Sequence, residues 1–480
     1  MTDAPPVAGV AGGDLPAPRL GDPSAPVTVV GAGWSGLAAA VALCDRGLPV
    51  RLIDSAPQAG GRARGLTLVL AGRPVQLDNG QHLLVGAYHD SLALARRVGM
   101  APDALRRLPM RLVATDGLRL SAPPLPAPLH LAAGLLGARG LTWADRWALL
   151  RCLGGLRLRG WPAPPRGSTV AQWLLAQRQP EALRRRFWVP LCVAMLNTPA
   201  PQACATTFVR VLRDTLGAPR GDSDFLLAAH SLDEVLPAPA IAHLQMRGAQ
   251  VSLRTTARGL RMLPEGAGWS VDTGEGELRA SSVILAVPAP AQARLVAGLP
   301  DAQAGAIAAR LAGIDHEPIA TLYLAWPAEL SSPVPALCML TEDPARGAHG
   351  QWFFDRGEQQ GLRLAAVVVS AAAEAAHSRE ALAEGIVAQL RAQLALPAPL
   401  DTRLVVERRA TLRCTPDRPR VHANAVDSLT LPWPGLWLAG EQAWPDYPGT
   451  LEAAVRSGLA AAAAAASRLG APPSSARVPA

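Results

Sequence analysis

The sequence predicts an α/β chain, α+β overall: a discontinuous Rossmann-type domain with an inserted lobe of helices and a mixed β-sheet. Three observations predict it. Val27-Thr-Val-Val30 is a β-branched run that leads straight into Gly31-Ala-Gly-Trp-Ser-Gly36. Leu37 to Arg46 then has helical composition, Gly47 closes it, and Pro49–Asp54 reads as a second strand. That completes a βαβ opening within ~30 residues, the size such a unit requires. Finally, Val283–Val287 and Leu436–Ala439 have the fully apolar character of strands buried on both faces, and Val251–Leu253 is a shorter candidate. These strands lie far apart in the chain, so the domain is expected to be discontinuous.

Length and composition agree with that reading. A chain of 480 residues exceeds what one hydrophobic core usually holds. With 49% hydrophobic and 18% charged residues it is not disordered as a whole. The net charge is +8, and all 46 basic residues are arginine. The absence of lysine excludes a Schiff-base lysine and a P-loop lysine. The alanine-heavy background reads as coding bias, so single alanines are given no weight. The positive charge suits nucleic acid or an anionic membrane surface. Scattered arginines, 4% aromatic residues and no nucleic-acid motif favour the membrane surface and exclude nucleic acid. Cys44, Cys152, Cys192, Cys204, Cys338 and Cys414 contain no CxxC pair and no zinc spacing, so reduced thiols and no metal site are expected. Residues 1–26 lack a secretory signal pattern and read as a disordered leader, and 469–480 as a disordered tail. No run reaches the ~18 apolar residues of a membrane span.

The expected division places the dinucleotide-binding domain at 27–114, 235–295 and 405–468. The inserted substrate lobe takes 115–234, which is helical and membrane-facing, and 296–404. Within it Thr142-Trp-Ala-Asp145 and Thr169-Val-Ala-Gln172 read as capping boxes that open helices. Thr321–Trp326 and Leu364–Ser370 read as extended.

The chemistry begins at the glycine loop. Gly31 permits the tight turn, Gly33 lets backbone approach a pyrophosphate, and Gly36 allows close helix–strand packing. Ala32, Trp34 and Ser35 complete the loop, whose helix N-terminus offers free N–H groups and partial positive charge. Asp54, followed by Ser55, ends the second strand where an acid accepts from ribose hydroxyls. A purely structural turn is the bland alternative.

Gly60-Gly61-Arg62 then resembles the GGR motif of the amine-oxidase and carotenoid-desaturase flavoproteins. In such a motif the glycines bring backbone against FAD, and the arginine neutralises phosphate charge. Gly435–Glu441 and Tyr447–Gly458 resemble that superfamily's C-terminal flavin segment. Gly440 and Glu441 would end the strand, and Thr450 and Leu451 would open a helix aimed at the flavin. The superfamily usually has Asp where this chain has Glu441.

Asp78-Asn-Gly-Gln-His-Leu-Leu-Val-Gly-Ala-Tyr88 narrows the likeness. So do Trp188–Pro199, Val209–Asp214, Ile284–Pro288, Gln351–Arg356 and Arg408–Leu412. In family order from about residue 27 to 458, they resemble the squalene-associated FAD-dependent desaturases, understood as bacterial hydroxysqualene dehydroxylases of hopanoid and squalene synthesis. The resemblance implies non-covalent FAD, a polyisoprenoid substrate, an unidentified electron donor, and replacement of an allylic hydroxyl by hydrogen. It places Gly80, Gln81 and His82 beside the flavin. His82 is the first candidate acid, with flavin packing as its alternative. Asp446 and Tyr447 are further candidates, and Asn197 is a candidate to orient the hydroxyl or to shape a turn before Pro199. The alternatives are a carotenoid-type polyene desaturase, an FAD amine oxidase and a non-enzymatic lipid carrier. The absence of lysine and the presence of only three tyrosines count against amine oxidation. A cytoplasmic protein is expected, peripheral at the inner membrane face. Its contact would run through Ala138–Arg166, where six arginines interleave with Trp143, Trp147 and Trp161.

Overall fold

The computed structural model describes residues 25–332, 334, 336–373, 378–419 and 431–471. Almost all of the expected leader, and the tail from 472, lie outside them. Five parallel strands form the first sheet, in the order Gln250–Leu253, Val50–Asp54, Val27–Val30, Ser282–Leu285 and Leu436–Leu438. Side chains alternate between two cores. Val27 and Val29 pack with the helices of one face, whereas Val30, Ile53, Val283 and Leu285 pack on the other. Coverage of both faces explains why the central strands are apolar throughout. An antiparallel meander of Gly259–Met262, Trp269–Asp272 and Glu277–Ala280 lies between two of the sheet strands in sequence.

The first helix, Trp34–Cys44, packs along the last, Leu451–Arg468. Both faces are lined with alanine: Ala38, Ala39 and Ala40 on one side, Ala461, Ala462 and Ala465 on the other, all buried. Small side chains let the helices close until Gly458 touches the backbone of Ser35. A Cβ on Gly458 would lie 2.0 Å from the Ser35 carbonyl oxygen.

A second sheet has the order Leu337–Met339, Trp352–Gln359, Leu362–Val369, His316–Pro327 and Asp401–Leu412. Its pairs are antiparallel, and a parallel bridge from Ala114 to Met339 extends one edge. The long strand His316–Pro327 sorts its side chains by period two. Leu322, Leu324 and Trp326 pack with the helix Arg379–Leu394, while Tyr323 and Ala325 pack with the hairpin Gly65–Leu70 and Arg73–Asp78. The rest of the lobe is helical. Thr142 and Asp145 form a capping box that opens Trp143–Leu158, and Thr169 with Gln172 opens Val170–Ala176. Trp173, Phe187, Trp188 and Phe208 meet edge to face at its centre. Trp161, expected at a membrane surface, packs against this core, whereas Trp143 and Trp147 face outward.

Two glycines in helices should respond to alanine with opposite signs. Gly458→Ala forces the paired helices apart and should cost about 1–3 kcal/mol. Gly154, within Trp143–Leu158, has open space around it, with nothing within 4 Å of the position a Cβ would take. Gly154→Ala should therefore gain roughly 0.5–1 kcal/mol. Urea unfolding of the two variants checks the signs; equal losses would show that contact with Ser35 is not what Gly458 serves.

Candidate functional site

The three glycines of the first loop do different work. Gly31 has φ +112°, and a Cβ there would lie 2.6 Å from the Ala286 carbonyl oxygen. A Cβ on Gly36 would lie 1.8 Å from the Gly31 carbonyl oxygen. Both positions are closed by the protein itself. Gly33 is not: its backbone is ordinary extended chain, and the nearest atom to a Cβ would be the Gly61 Cα at 3.9 Å. It precedes a helix with no side-chain cap and no acid in its first turn. Open space beside unbonded N–H groups at a helix N-terminus is what a pyrophosphate needs.

The neighbouring loop is tied to this one. Gly60 N–H donates to the Ala32 carbonyl at 2.8 Å, and the buried Trp34 Nε1 donates to the Ala63 carbonyl at 3.0 Å. Asp54 accepts from Ala32 N–H at 2.5 Å and Ala56 N–H at 2.7 Å, so it braces the glycine loop. Each carboxylate oxygen keeps a second lone pair for a ribose hydroxyl. Ser55 beside it is exposed. Arg62 is paired with Glu441 at 2.6 Å and also donates to the carbonyls of Arg409 and Ala410. This guanidinium, expected at a phosphate, joins the early loop to the C-terminal strand end through Nη1.

Asp78–His82 lies against the strand His316–Pro327 of the second sheet. Thr321 Oγ1 accepts from Gln81 N–H at 3.2 Å, and Tyr323 Oη donates to the Asp78 carbonyl at 2.9 Å. Residues 321 and 323 share one strand face, so two polar side chains grip the segment from below. Gly80 has φ +93°, which turns the chain over Thr321. Gln81 is buried; its Nε2 donates to the His82 carbonyl, and its Oε1 finds no partner among the described residues. An orphaned acceptor at this depth fits a polar cofactor edge that carries an N–H. His82 lies deep in the protein yet keeps part of its surface open, as a residue lining a cavity does. Burial, then the charge of Arg62, push its imidazole down to about 4. The ring is therefore neutral near pH 7, and an acid role requires negative charge brought into the cavity.

The helix Leu451–Arg468 begins at Thr450, whose hydroxyl accepts from Ala453 N–H at 3.2 Å. Gly440 N–H donates to Ser457 Oγ, so the strand end is fixed to this helix. Glu452, fully buried, reaches sideways to the helix His89–Arg97, which lacks a side-chain cap of its own. It accepts from the backbone N–H groups of Asp90 and Ser91, the Ser91 hydroxyl and Arg456. A carboxylate there caps the helix and offsets the positive end of its dipole. Tyr88, at the start of that helix, hydrogen-bonds Thr450, and burial raises its phenol well above the usual range. Tyr447 is buried, hydrogen-bonded to Asp214 and crossed by Arg456; burial raises it too. Asp446 is exposed and paired with Arg210 at 3.2 Å, so it does not line the interior with its neighbour.

Asn197 is accounted for differently from either expectation alone. It ends the helix Val189–Leu196 at φ +46°, and its amide spans two layers. Nδ2 donates to the Glu317 carbonyl and Thr411 Oγ1, and Oδ1 accepts from Ala371 N–H at 2.6 Å. Both N–H groups are used, which leaves no free donor to orient a hydroxyl. Sequence reasoning missed Glu452, Thr321 and Tyr323. Glu452 sits where any helix welcomes an acid, and its reach to another helix has no local signal. The alternation of Thr321 and Tyr323 within an apolar strand was the available clue.

Open space at a helix N-terminus, a second loop tied to it and a buried orphan acceptor fit a flavin-dependent oxidoreductase. The chain belongs to the family described as flavin containing amine oxidoreductase, which it matches over residues 34–466. The hydroxysqualene dehydroxylase of Rhodopseudomonas palustris is 28% identical over 456 residues, covering 91% of this chain and 97% of its own length. That of Zymomonas mobilis is 25% identical and covers 90% and 97%. A probable zeta-carotene desaturase of Synechococcus elongatus is 27% identical over 246 residues, which is 48% of this chain and 50% of its own. Cyclohexylamine oxidase from Brevibacterium oxydans shares the fold, with a TM-score of 0.67 at 19% identity over 93% of this chain and 99% of that one.

Two outcomes follow from the site. Gly33→Val should yield a folded protein with an unchanged circular dichroism spectrum and no bound flavin, because only the cradle is filled. A Gly33→Val protein with full flavin content would put the pyrophosphate elsewhere. In flavin-free protein the His82 ring should show no NMR protonation shift between about pH 8 and about pH 5.5, since its usual midpoint of ~6.5 has moved down. The unfolded chain then binds a proton that the folded chain refuses, so stability should fall as pH drops from ~6.5 through about 4. A ring midpoint near 6.5 would place His82 in bulk solvent.

Proposed function

We propose that this enzyme removes the allylic hydroxyl of hydroxysqualene reductively, giving squalene, with FAD bound without a covalent link. The observation that carries this reading is coverage: the likeness to enzymes named hydroxysqualene dehydroxylase spans 97% of their length, and the likeness to a desaturase spans half. A cofactor domain and a substrate lobe then divide the chain near the limits given above, except that the strand Asp401–Leu412 belongs whole to the second sheet. The reaction balances as R–OH + H⁺ + H⁻ → R–H + H₂O: the C–O bond breaks, water leaves with the proton, and a C–H bond forms. Reduced FAD supplies the hydride, and an electron donor outside this chain restores it.

The chain's own residues have four tasks. The loop Gly31–Gly36 holds the pyrophosphate, and Asp54 takes the ribose. Gln81 and the N-terminus of the helix at Thr450 and Leu451 hold the ring edge, with Gly61, Gly80, Gly440 and the Arg62–Glu441 pair fixing the backbone around it. His82 carries the proton for the departing hydroxyl. Its imidazole, neutral in an uncharged cavity, gains basicity when an anionic group lies within ~4–6 Å. Tyr447 closes the wall on the other side. No lysine is present to serve an amine substrate. A polyisoprenoid that resides in a bilayer also calls for peripheral membrane contact, for which no helix long and apolar enough to cross is found among the described residues.

Acid or heat should release free FAD; colour retained on the denatured chain would mean a covalent link. Photoreduced enzyme mixed anaerobically with hydroxysqualene should reoxidise and yield squalene. His82→Phe should keep FAD and slow that single turnover by ~10²–10⁴-fold, the range of general acid catalysis. An unchanged rate would leave His82 as a packing residue. Bleaching of oxidised enzyme by squalene, with a more unsaturated product, would establish the desaturase direction instead.

A further inference from the structure

The helix Trp143–Leu158 carries apolar side chains on the side that faces water. At ~100° per residue, Trp143, Trp147, Leu150, Gly154 and Leu158 fall in one narrow arc. Trp143, Trp147 and Leu158 are 72%, 65% and 90% exposed. Ala148, Leu149, Cys152 and Leu156 lie on the opposite side, in the lobe's core. The adjoining helix Leu129–Leu136 adds Leu129 and Leu136, seven residues apart and both exposed. Large exposed apolar side chains are otherwise scattered over the described surface, but here they cluster between residues 125 and 175. Leu158 and Leu175 also stand, in sequence, between residues that line an apolar groove of 390 Å³, Trp173 among them.

The charge on this face is one-sided. Arg139, Arg146, Arg151, Arg157, Arg159 and Arg166 form no ion pair with any described residue. Asp145, the one acid in the stretch, is buried in its capping box. Arg146 lies over the Trp143 ring at 4.6 Å, and Arg157 donates to the Gly217 carbonyl. An apolar stripe rimmed by guanidiniums without counter-charge matches a bilayer that carries anionic phosphates, with indoles at headgroup depth. A second copy on the same face would set arginine against arginine.

We infer that the two helices Leu129–Leu136 and Trp143–Leu158 form the face that docks on an anionic phospholipid bilayer. The inference rests on the peripheral contact proposed above and specifies its surface and its headgroup. Trp143, Trp147 and Leu158 enter the interface, the arginines bind phosphate oxygens, and the groove adjoins the hydrocarbon. FAD-loaded protein should float with phosphatidylglycerol-containing vesicles, less with pure phosphatidylcholine, and less as salt rises. Changing Trp143, Trp147 and Leu158 together to Ala should cut the bound fraction about tenfold at unchanged flavin content. Arg139→Glu with Arg151→Glu, at exposed positions, should abolish the preference for anionic vesicles. Wild type that floats with neither vesicle overturns both this face and the peripheral contact. Wild type that floats equally with both, or variants that float as wild type does, leave a bilayer contact but overturn this face. A wild-type dimer that the triple variant dissolves, with flotation unaffected, assigns the face to a second copy and overturns the inference.

Discussion

Backbone can touch backbone only where no Cβ stands between, and the cofactor side of this protein is organised around a few such contacts. Gly36 rests on the Gly31 carbonyl, and Gly458 rests on Ser35, one residue away in the same helix. The first contact sets the angle at which Trp34–Cys44 leaves the sheet, and the second sets where Leu451–Arg468 runs. Helices that close fix both N-termini toward one edge of the sheet. Gly33 is the exception that gives the arrangement its use: a Cβ there would come no closer than 3.9 Å to any atom beyond its chain neighbours, so the space is left open.

Around that edge, polar side chains serve mainly to hold loops. Asp54 braces the glycine turn, Glu441 holds Arg62, Glu452 caps a helix, and Asn197 joins the helical lobe to the second sheet. Each is satisfied by backbone or by a paired charge, as burial demands. Two groups differ. Gln81 Oε1 has no partner among the described residues, and the His82 ring is held neutral by burial. Fully bonded neighbours with two uncommitted groups among them are what rigid positioning of a bound molecule requires.

The nucleotide-binding part was legible because its signals are local: a strand, a turn only glycine can make, a helix, and an acid at the next strand's end. The capping boxes at Thr142 and Thr169 were legible for the same reason. The alanines were misjudged. Treated as compositional noise, Ala38–Ala40 and Ala461–Ala465 are the surface on which the first and last helices meet. Their meaning lies in the partner helix, which composition cannot reveal. Asn197 was legible as a turn before Pro199, but its amide bonds were not, and Trp161 was misread, because whether an amide is free or an indole exposed depends on layers brought in from elsewhere. The segment Asp78–His82 was recognised from its order of residues, but the strand that holds it, through Thr321 and Tyr323, gave only a faint alternation.

The cap that Glu452 places on Ser91 bridges 361 residues. A ribosome adding ~5–20 residues per second needs roughly 20–70 s to travel that distance. For that interval the helix His89–Arg97 has an uncapped end, and Trp34–Cys44 has no alanine face to close upon. The sheet also lacks its last strand, Leu436–Leu438. The amino-terminal portion therefore keeps an uncapped helix and an incomplete sheet until the carboxy-terminal strand and helix emerge.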